Sequence, residues 1–255
     1  MSWAAKRRFI ILLIIGAVAA AFFIVVFFAT LYKAPSCTDG VQNQNESGID
    51  CGGPCSYLCT ALEQPPTVLF TKAISNGTER TDIVALVENK NANAAAKSVP
   101  YKVQLYGADR VLIREISGTL DLPPGATVPV FLPNISSGKQ VVSSAFFSIT
   151  SSPKWFAVTT DSRIMPRVSN VRQSGTMETP RIEAILTNES VMVLTNVRAV
   201  VLVRSEQGSV IAASATIVPV IPAQGFSTAT FTWNSAFPAT PASIEVMPII
   251  PLPDQ

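Results

Sequence analysis

Four cysteines stand within 23 residues, Cys37, Cys51, Cys55 and Cys59, in the spacing C-x13-C-x3-C-x3-C. Thiols this close can oxidise to two disulfides or hold a metal as thiolates. Structural zinc takes two closely spaced cysteine pairs, whereas an even count clustered outside the cytoplasm reads as a disulfide framework. Two disulfides are the expectation; three connectivities are open, and spacing does not choose among them. So short a segment cannot bury enough apolar surface to fold unaided, so crosslinks must hold it. The loop from Cys37 to Cys51 carries Asp39, Gln42, Asn43, Asn45, Glu46 and Asp50, with Gly40 and Gly48 allowing sharp turns. Hard oxygen ligands alternating with glycine suit a calcium loop, with Asp39, Asn43, Glu46 and Asp50 as ligands. The plainer expectation is a polar loop whose Asp and Asn side chains cap their own turns.

Other chemistry is sparse. The chain has no histidine, which removes Ser-His-Asp and Cys-His catalysis and His-ligated zinc. The acids are scattered, and neither a Gly-rich phosphate loop nor a nucleophile elbow occurs. A Ser-Lys or paired-carboxylate hydrolase remains formally open; a non-enzymatic protein without an obligatory cofactor is expected.

The cysteines need a compartment, and the N-terminus supplies the argument. Phe9 to Leu31 carries no charge and one polar side chain, Thr30. At ~1.5 Å per residue this run spans roughly 34 Å as a helix, enough for a hydrocarbon core of ~30 Å. Lys6, Arg7 and Arg8 precede it, and Lys33 alone follows closely. The positive-inside rule then puts residues 1–8 in the cytoplasm and everything beyond the anchor outside. A cleaved signal peptide would have a shorter apolar region and a small-x-small site, which Tyr32-Lys33-Ala34-Pro35 does not offer. From Tyr32 onward there are 16 Lys/Arg (19 less the three before the anchor) and 17 Asp/Glu. That near-neutral balance gives no footprint for nucleic acid.

After the cysteine module, residues 34–61, apolar and polar residues alternate between turns. Val99, Tyr101, Val103 and Leu105 fall on one face of a half-buried strand, and Ile83, Ala85 and Val87 on one face of another. Turns are expected at Asn76-Gly77, Gly107 to Arg110 and Pro123-Pro124-Gly125. The order then repeats. DIVALVEN (82–89) aligns with RIEAILTN (181–188), Val99 to Leu105 with Val197 to Val203, and LPPGATVPVF (122–131) with IPAQGFSTATF (221–231). Asn89 to Asn188 and Pro123 to Pro222 are each 99 residues. A period of about 100 residues with several strands per copy fits an immunoglobulin-like sandwich. The fold class is therefore mainly β: a transmembrane helix, residues 9–31, a disulfide-rich module, and two tandem β-sandwiches at residues 62–160 and 161–255.

Two resemblances add to this reading. C-x-D-G-x-x-N-x-x-E-x-G-x-D-C-G-G-x-C-x-x-x-C, from Cys37 to Cys59, resembles a cysteine motif of secreted and membrane-anchored bacterial proteins, and it implies no particular activity. Asn89, VPYKVQLYGADRVLI (99–113) and Pro124-Gly125 are similar to the FxLYD-type domains and their water-stress (WHy) and immunoglobulin-like relatives. The second copy offers Asn188, VRAVVLVRSEQGSVI (197–211) and Gly225, without the Tyr and the adjacent Pro-Gly. The resemblance covers about three quarters of the chain; it implies a bacterial envelope setting and a fold, and no catalytic residues.

Trp155 and Trp233 are expected in sandwich cores, and one ring of Phe146-Phe147 inside with the other facing out. Asn-x-Ser/Thr at Asn45, Asn76, Asn134 and Asn188 is expected by chance in an Asn/Ser/Thr-rich chain. The tail from Met247 to Gln255, with three prolines, is expected to leave the last strand as an extended end. The functional expectation is a single-pass membrane protein presenting two extracytoplasmic domains for protein interaction or adhesion, or as a spacer, with an unidentified envelope protein as partner. The alternative is a subunit of a secretion, pilus or cell-wall assembly, and the third reading is an extracytoplasmic hydrolase.

Overall fold

The computed structural model describes residues 3–30, 36–76, 80–138 and 140–253. Leu31 at the expected end of the anchor, residues 32–35, Gly77 of one expected turn, and Asp254 and Gln255 lie outside them. The chain forms two compact units, Met1–Cys59 and Thr60–Gln255.

In the first unit, helix α1 runs Trp3–Thr30. It starts six residues before Phe9 because Ala, Lys and Arg are good helix formers and nothing there breaks the turn. Arg7 stacks its guanidinium 3.9 Å over the Trp3 ring. Lys6–Thr30 is long and apolar enough to cross a membrane. Among the described residues 36–59, the cysteine module has no helix or strand; disulfides Cys37–Cys55 and Cys51–Cys59 tie it.

Among its described residues, the elements of the second unit are all strands apart from a short 3-10 turn, Thr60–Leu62. Its strands are β1 (Thr67–Ser75), β2 (Arg80–Glu88), β3 (Ala94–Tyr106), β4 (Leu112–Leu122), β5 (Thr127–Ser136), β6 (Ser144–Ile149), β7 (Phe156–Ala157), β8 (Arg167–Gly175), β9 (Pro180–Asn188), β10 (Leu194–Arg204), β11 (Val210–Ile221), β12 (Gly225–Thr232) and β13 (Ser243–Ile249). They form four sheets: β1-β2-β5, β4-β3-β6 with β7 added to β3, β12-β9-β8, and β11-β10-β13. All pairings are antiparallel.

The repeat is visible in backbone detail. Ser98 and Asn196 are both left-handed, at φ +53, and the register shifts at Leu105/Tyr106 in β3 and at Val203/Arg204 in β10 are equivalent bulges. The β3–β4 hairpin closes with Gly107 N–H to Val111 O, and the β10–β11 hairpin with Ser205 N–H to Ser209 O. Arg110 and Gly208 hold the left-handed position in these turns. Gly125 N–H donates to Asn91 O, and Gln224 N–H to Ser190 O. Here the expected equivalence needs correcting: the left-handed residue matching Gly125 is Gln224, at φ +50, and not Gly225. The 99-residue offset holds through the turn: Phe226 pairs with Thr187 as Thr127 pairs with Glu88, so Gly225, which starts β12, corresponds to Ala126. A side chain in the left-handed region costs about 1 kcal/mol that glycine avoids.

Buried Asn89 and Asn188 pin these turns in the same way. Asn89 Nδ2 donates to Ala94 O, Leu122 O and Pro123 O, and its Oδ1 accepts from Asn91 N–H. Asn188 Nδ2 donates to Met192 O, Ile221 O and Pro222 O, and its Oδ1 accepts from Ser190 N–H. Asn188, a sequon asparagine, is 0% exposed.

One strand expectation needs correction. β2 is buried on both faces: Ile83, Ala85 and Val87 on one, Val84 and Leu86 on the other. β10 matches it, with Ala199, Val201 and Val203 on one face and Val200 and Leu202 on the other. Val84, Leu86 and Phe131 of the first repeat pack with Val200, Leu202, Val210 and Ala213 of the second, and Phe70, Ile74, Met247 and Ile249 border them. This seam makes β2 and β10 near-continuous apolar runs, the pattern of strands covered on both sides. Ile182, Leu186, Val201, Val203, Ala229 and Phe231 belong to the core between the second repeat's own sheets.

Trp155 is buried. Trp233 is half-buried against the second core, donates from Nε1 to Ala213 O and meets the Phe237 ring edge-on. Phe147 is buried and stacks on Tyr101, while Phe146 is exposed and meets Tyr106 edge-on. The tail departs from expectation. Its first residues belong to β13, and beyond them Leu252 is buried with its N–H directed to Asp121 Oδ2 of the first repeat. Pro251 and Pro253 lack the N–H needed to continue a ladder, so the chain leaves β10 there.

Leu202→Ala is expected to cost about 2–4 kcal/mol by leaving a cavity in the seam. Fluorescence of Trp155 and Trp233, separated in single-Trp variants, should shift to one lower denaturation midpoint; a shift seen by Trp233 alone would mean that the repeats unfold independently.

Candidate functional site

The structure brings the polar residues of the cysteine module together, but around backbone amides. The Asp50 carboxylate accepts from the N–H groups of Asp39 and Gly40. Asp39 accepts from Val41 N–H through Oδ1, and from Asn43 Nδ2 and Ser36 N–H through Oδ2. Buried Glu46 accepts from Asn43 and Asp50 N–H through Oε2. Positive φ at Gln44, Asn45 and Asp50 bends the chain tightly enough for these caps. The carboxylates of Asp39, Glu46 and Asp50 do not gather about one centre. The cluster that does form is Cys37, Glu46 and Cys55, with ligand atoms within 4.8 Å of one another. Both of its sulfurs belong to the disulfide and hold no thiolate to offer a metal. Glu46 Oε1 lies 2.9 Å from the Cys55 sulfur, which carries no proton, so this is a contact and not a hydrogen bond. Glycine at 53 is required: its φ is +58, and a Cβ there would overlap Asn45 O.

A second candidate was missed in the sequence because it forms only when the repeats meet. A cleft of about 360 Å³ lies between them, walled by Leu120, Val130, Met165 and Ile249 and edged by Tyr101, Asp121, Arg163 and Arg198. Tyr101 lies across Gly118, its partner in the β3–β4 register, where any Cβ would overlap its hydroxyl. Burial pushes the Tyr101 hydroxyl above its usual value, partly countered by the charge of Arg198. Arg198 donates to Phe131 O across the seam. Arg163 holds the Asp161 carboxylate through Nε and Nη2 and donates from Nη1 to Ile250 O, fastening the tail. That guanidinium holds the Asp161 carboxyl below its usual value. Asp121 caps Ser98 N–H and meets Leu252 N–H. Both acids beside the cleft are therefore engaged in structural bonds. The cleft can take an apolar group and hydrogen-bond a polar end, and it pairs no nucleophile with a base. A third hollow, about 410 Å³, lies beside Trp233, Phe237, Ile74 and Asp82; Asp82 is capped by Asn134 N–H and Asn76 Nδ2.

Calcium chelation is expected to leave the melting temperature of the full chain unchanged, while reduction of its disulfides should unfold residues 37–59; a chelator-induced fall would restore the calcium reading. For Asp161 the lowered carboxyl means that its contribution is present above the unfolded value and is lost as pH falls through the folded one. Asp161→Asn should therefore cost about 0.5–1 kcal/mol at neutral pH and nothing at a pH low enough to protonate Asp161 in both the folded and the unfolded chain. Equal loss at both ends of a urea-denaturation pH series would refute the ion pair's role.

No family model matches the sequence, and no curated protein matches it. Among solved structures, red sea bream transglutaminase is 8% identical with a TM-score of 0.24, covering 75% of this chain and 32% of that one. The chain thus spans about a third of that structure's length, and a likeness this weak carries no argument about fold or activity.

Proposed function

We propose that this chain is a non-enzymatic, single-pass membrane protein of a cell envelope. α1 crosses the bilayer with Lys6, Arg7 and Arg8 on the cytoplasmic side, and the disulfide module and both repeats lie outside. Each repeat reads as an immunoglobulin-like sandwich, and together they offer a stiff β surface to a protein partner. The observation that carries this is the seam of Val84, Leu86, Phe131, Val200 and Leu202. Two domains meant to move independently would leave these faces polar, because an exposed apolar patch of that size is a liability. Fusing them fixes the spacing of their outer faces, which suits presentation. The engagement of Asp121 and Asp161 in structural bonds supports a role without proton transfer.

A second reading, a subunit of a secretion, pilus or cell-wall assembly, draws on the exposed Val191, Met192 and Val193 at one end of the second repeat. Cross-linking in native membranes followed by mass spectrometry tests both. The expected result is a reproducible partner joined to lysines of the repeats. No partner at saturating cross-linker would remove the contact role, and hydrolytic turnover by the purified full chain would remove the non-enzymatic one.

A further inference from the structure

The two repeats share strand order, bulges, hairpins and pinning asparagines, so a place where they differ is informative. In the first repeat, β6 runs beside β3 from Tyr101 to Tyr106, and β7 continues along the same strand, pairing Ala94 with Ala157 and Ala95 with Phe156. Val158 N–H donates to Asn93 O just beyond. Ala94, Ala95 and Trp155 are all buried at this place. The equivalent of Ala94 is Met192, since each gives its carbonyl to the pinning asparagine.

In the second repeat the matching edge of β10 is bare. β13 accompanies β10 from Arg198 to Arg204, and the following residues leave for the first repeat, where Leu252 meets Asp121. Among the described residues, no strand lies beside Val191 to Val197 on that side. Met192 is 62% exposed and Val193 56%, where their counterparts Ala94 and Ala95 are 0%. Val191, 80% exposed, stands where Asn93 offers its carbonyl to the strand end. Phe226, opposite Thr187 in the register, adds a 65% exposed ring at the same end. Bulky apolar side chains beside an unpaired strand edge invite strand addition.

We propose that the free edge along Val191 to Val197, the start of β10 and the three residues before it, accepts an extended apolar strand from a partner polypeptide, in the place that Phe156–Ala157 takes beside β3 in the first repeat. The first repeat specifies the occupant: a short antiparallel segment, uncharged at its centre, with an aromatic residue next to a small one. A second copy of this chain does not supply it from residues 154–158, because that segment is already paired with β3 in its own first repeat, with Trp155 buried there. Met192 and Val193 replace alanines, so the incoming strand meets flexible apolar contacts that favour an aromatic neighbour.

The proposal rests on the protein-contact reading above, and the two fail separately: a partner cross-linked elsewhere on the repeats leaves that reading standing and overturns this one. The direct test uses the full chain in detergent micelles and a fluorescent synthetic peptide of residues 151–159, Ser-Ser-Pro-Lys-Trp-Phe-Ala-Val-Thr. Saturable binding is expected. It should weaken at least tenfold when the peptide's Phe and Ala nitrogens are methylated, which removes ladder donors and keeps the apolar side chains. Val193→Asp should abolish binding with no change in melting temperature, since that side chain is exposed. Absence of binding, equal binding of the methylated peptide, or equal binding to Val193→Asp would overturn the proposal. So would anionic vesicles that capture the chain through Val191 to Val193 in place of the peptide.

Discussion

The burial of β2 and β10 on both faces is the constraint on which the rest of the second unit depends. A strand with one apolar face belongs to one sandwich; a strand with two must find a second cover or expose a hydrophobic stripe to water. Val84 and Leu86 meet Val200 and Leu202, and each set covers the other. Each fully buried Val or Leu contributes about 1.5–3 kcal/mol relative to exposure, so these four side chains outweigh the polar links around them. Arg198 reaching Phe131 O, and Arg204 lying 5.1 Å over the Phe70 ring, orient the seam more than they stabilise it. The cleft at Tyr101 follows, because the two sheets meet along β2 and β10 and diverge where β4, β5 and the tail come together.

Within each repeat the ordering element is an asparagine. A buried carboxamide must satisfy two donors and an acceptor, and Asn89 and Asn188 do so by gathering carbonyls from a strand start and from a Pro-containing turn about 33 residues later. The β2–β3 loop is thereby fixed to the β4–β5 turn, and the β9–β10 loop to the β11–β12 turn. Low identity between the copies is then no obstacle to one backbone path: Gln224 can replace Gly125 because the carbonyl geometry of that turn is set by the pin, while Gly208 stands where Arg110 does in a hairpin closed by its own backbone bonds.

Much of this was legible in the sequence. The membrane-length helix, the two-disulfide module, the mainly β class and the repeat followed from run length, cysteine count and residue period. The aligned Asn89 and Asn188 were visible as an end-of-strand letter, but their role was not, since hydrogen bonds to residues 33 and 34 positions away leave no local trace. In DIVALVEN the period-2 signal of Ile83, Ala85 and Val87 points to one buried face. Val84 and Leu86 were the evidence for a second, and only their partners in β10 give it meaning. The seam and cleft were hidden for the same reason: contact between non-adjacent strands is a property of two segments, and neither announces the other. The acid loop was ambiguous because a calcium loop and a set of turn caps call for the same residue types. In the fold, Asp39, Glu46 and Asp50 accept from backbone amides, as turn caps do.

The path of the chain explains why the two ends differ. In both repeats the first residues of β3 or β10 extend past the neighbouring strand β6 or β13 on one flank. In the first, the segment leading to the second repeat must pass that flank, and Trp155 to Val158 close it as they go. In the second, the outgoing segment is diverted by Pro251 and Pro253 and held by Asp121 and Arg163 over the first repeat. The same few residues cannot both fasten the repeats together and cover the β10 edge. Covering the seam margin stiffens the unit, and the edge left open keeps the backbone groups that a partner strand needs.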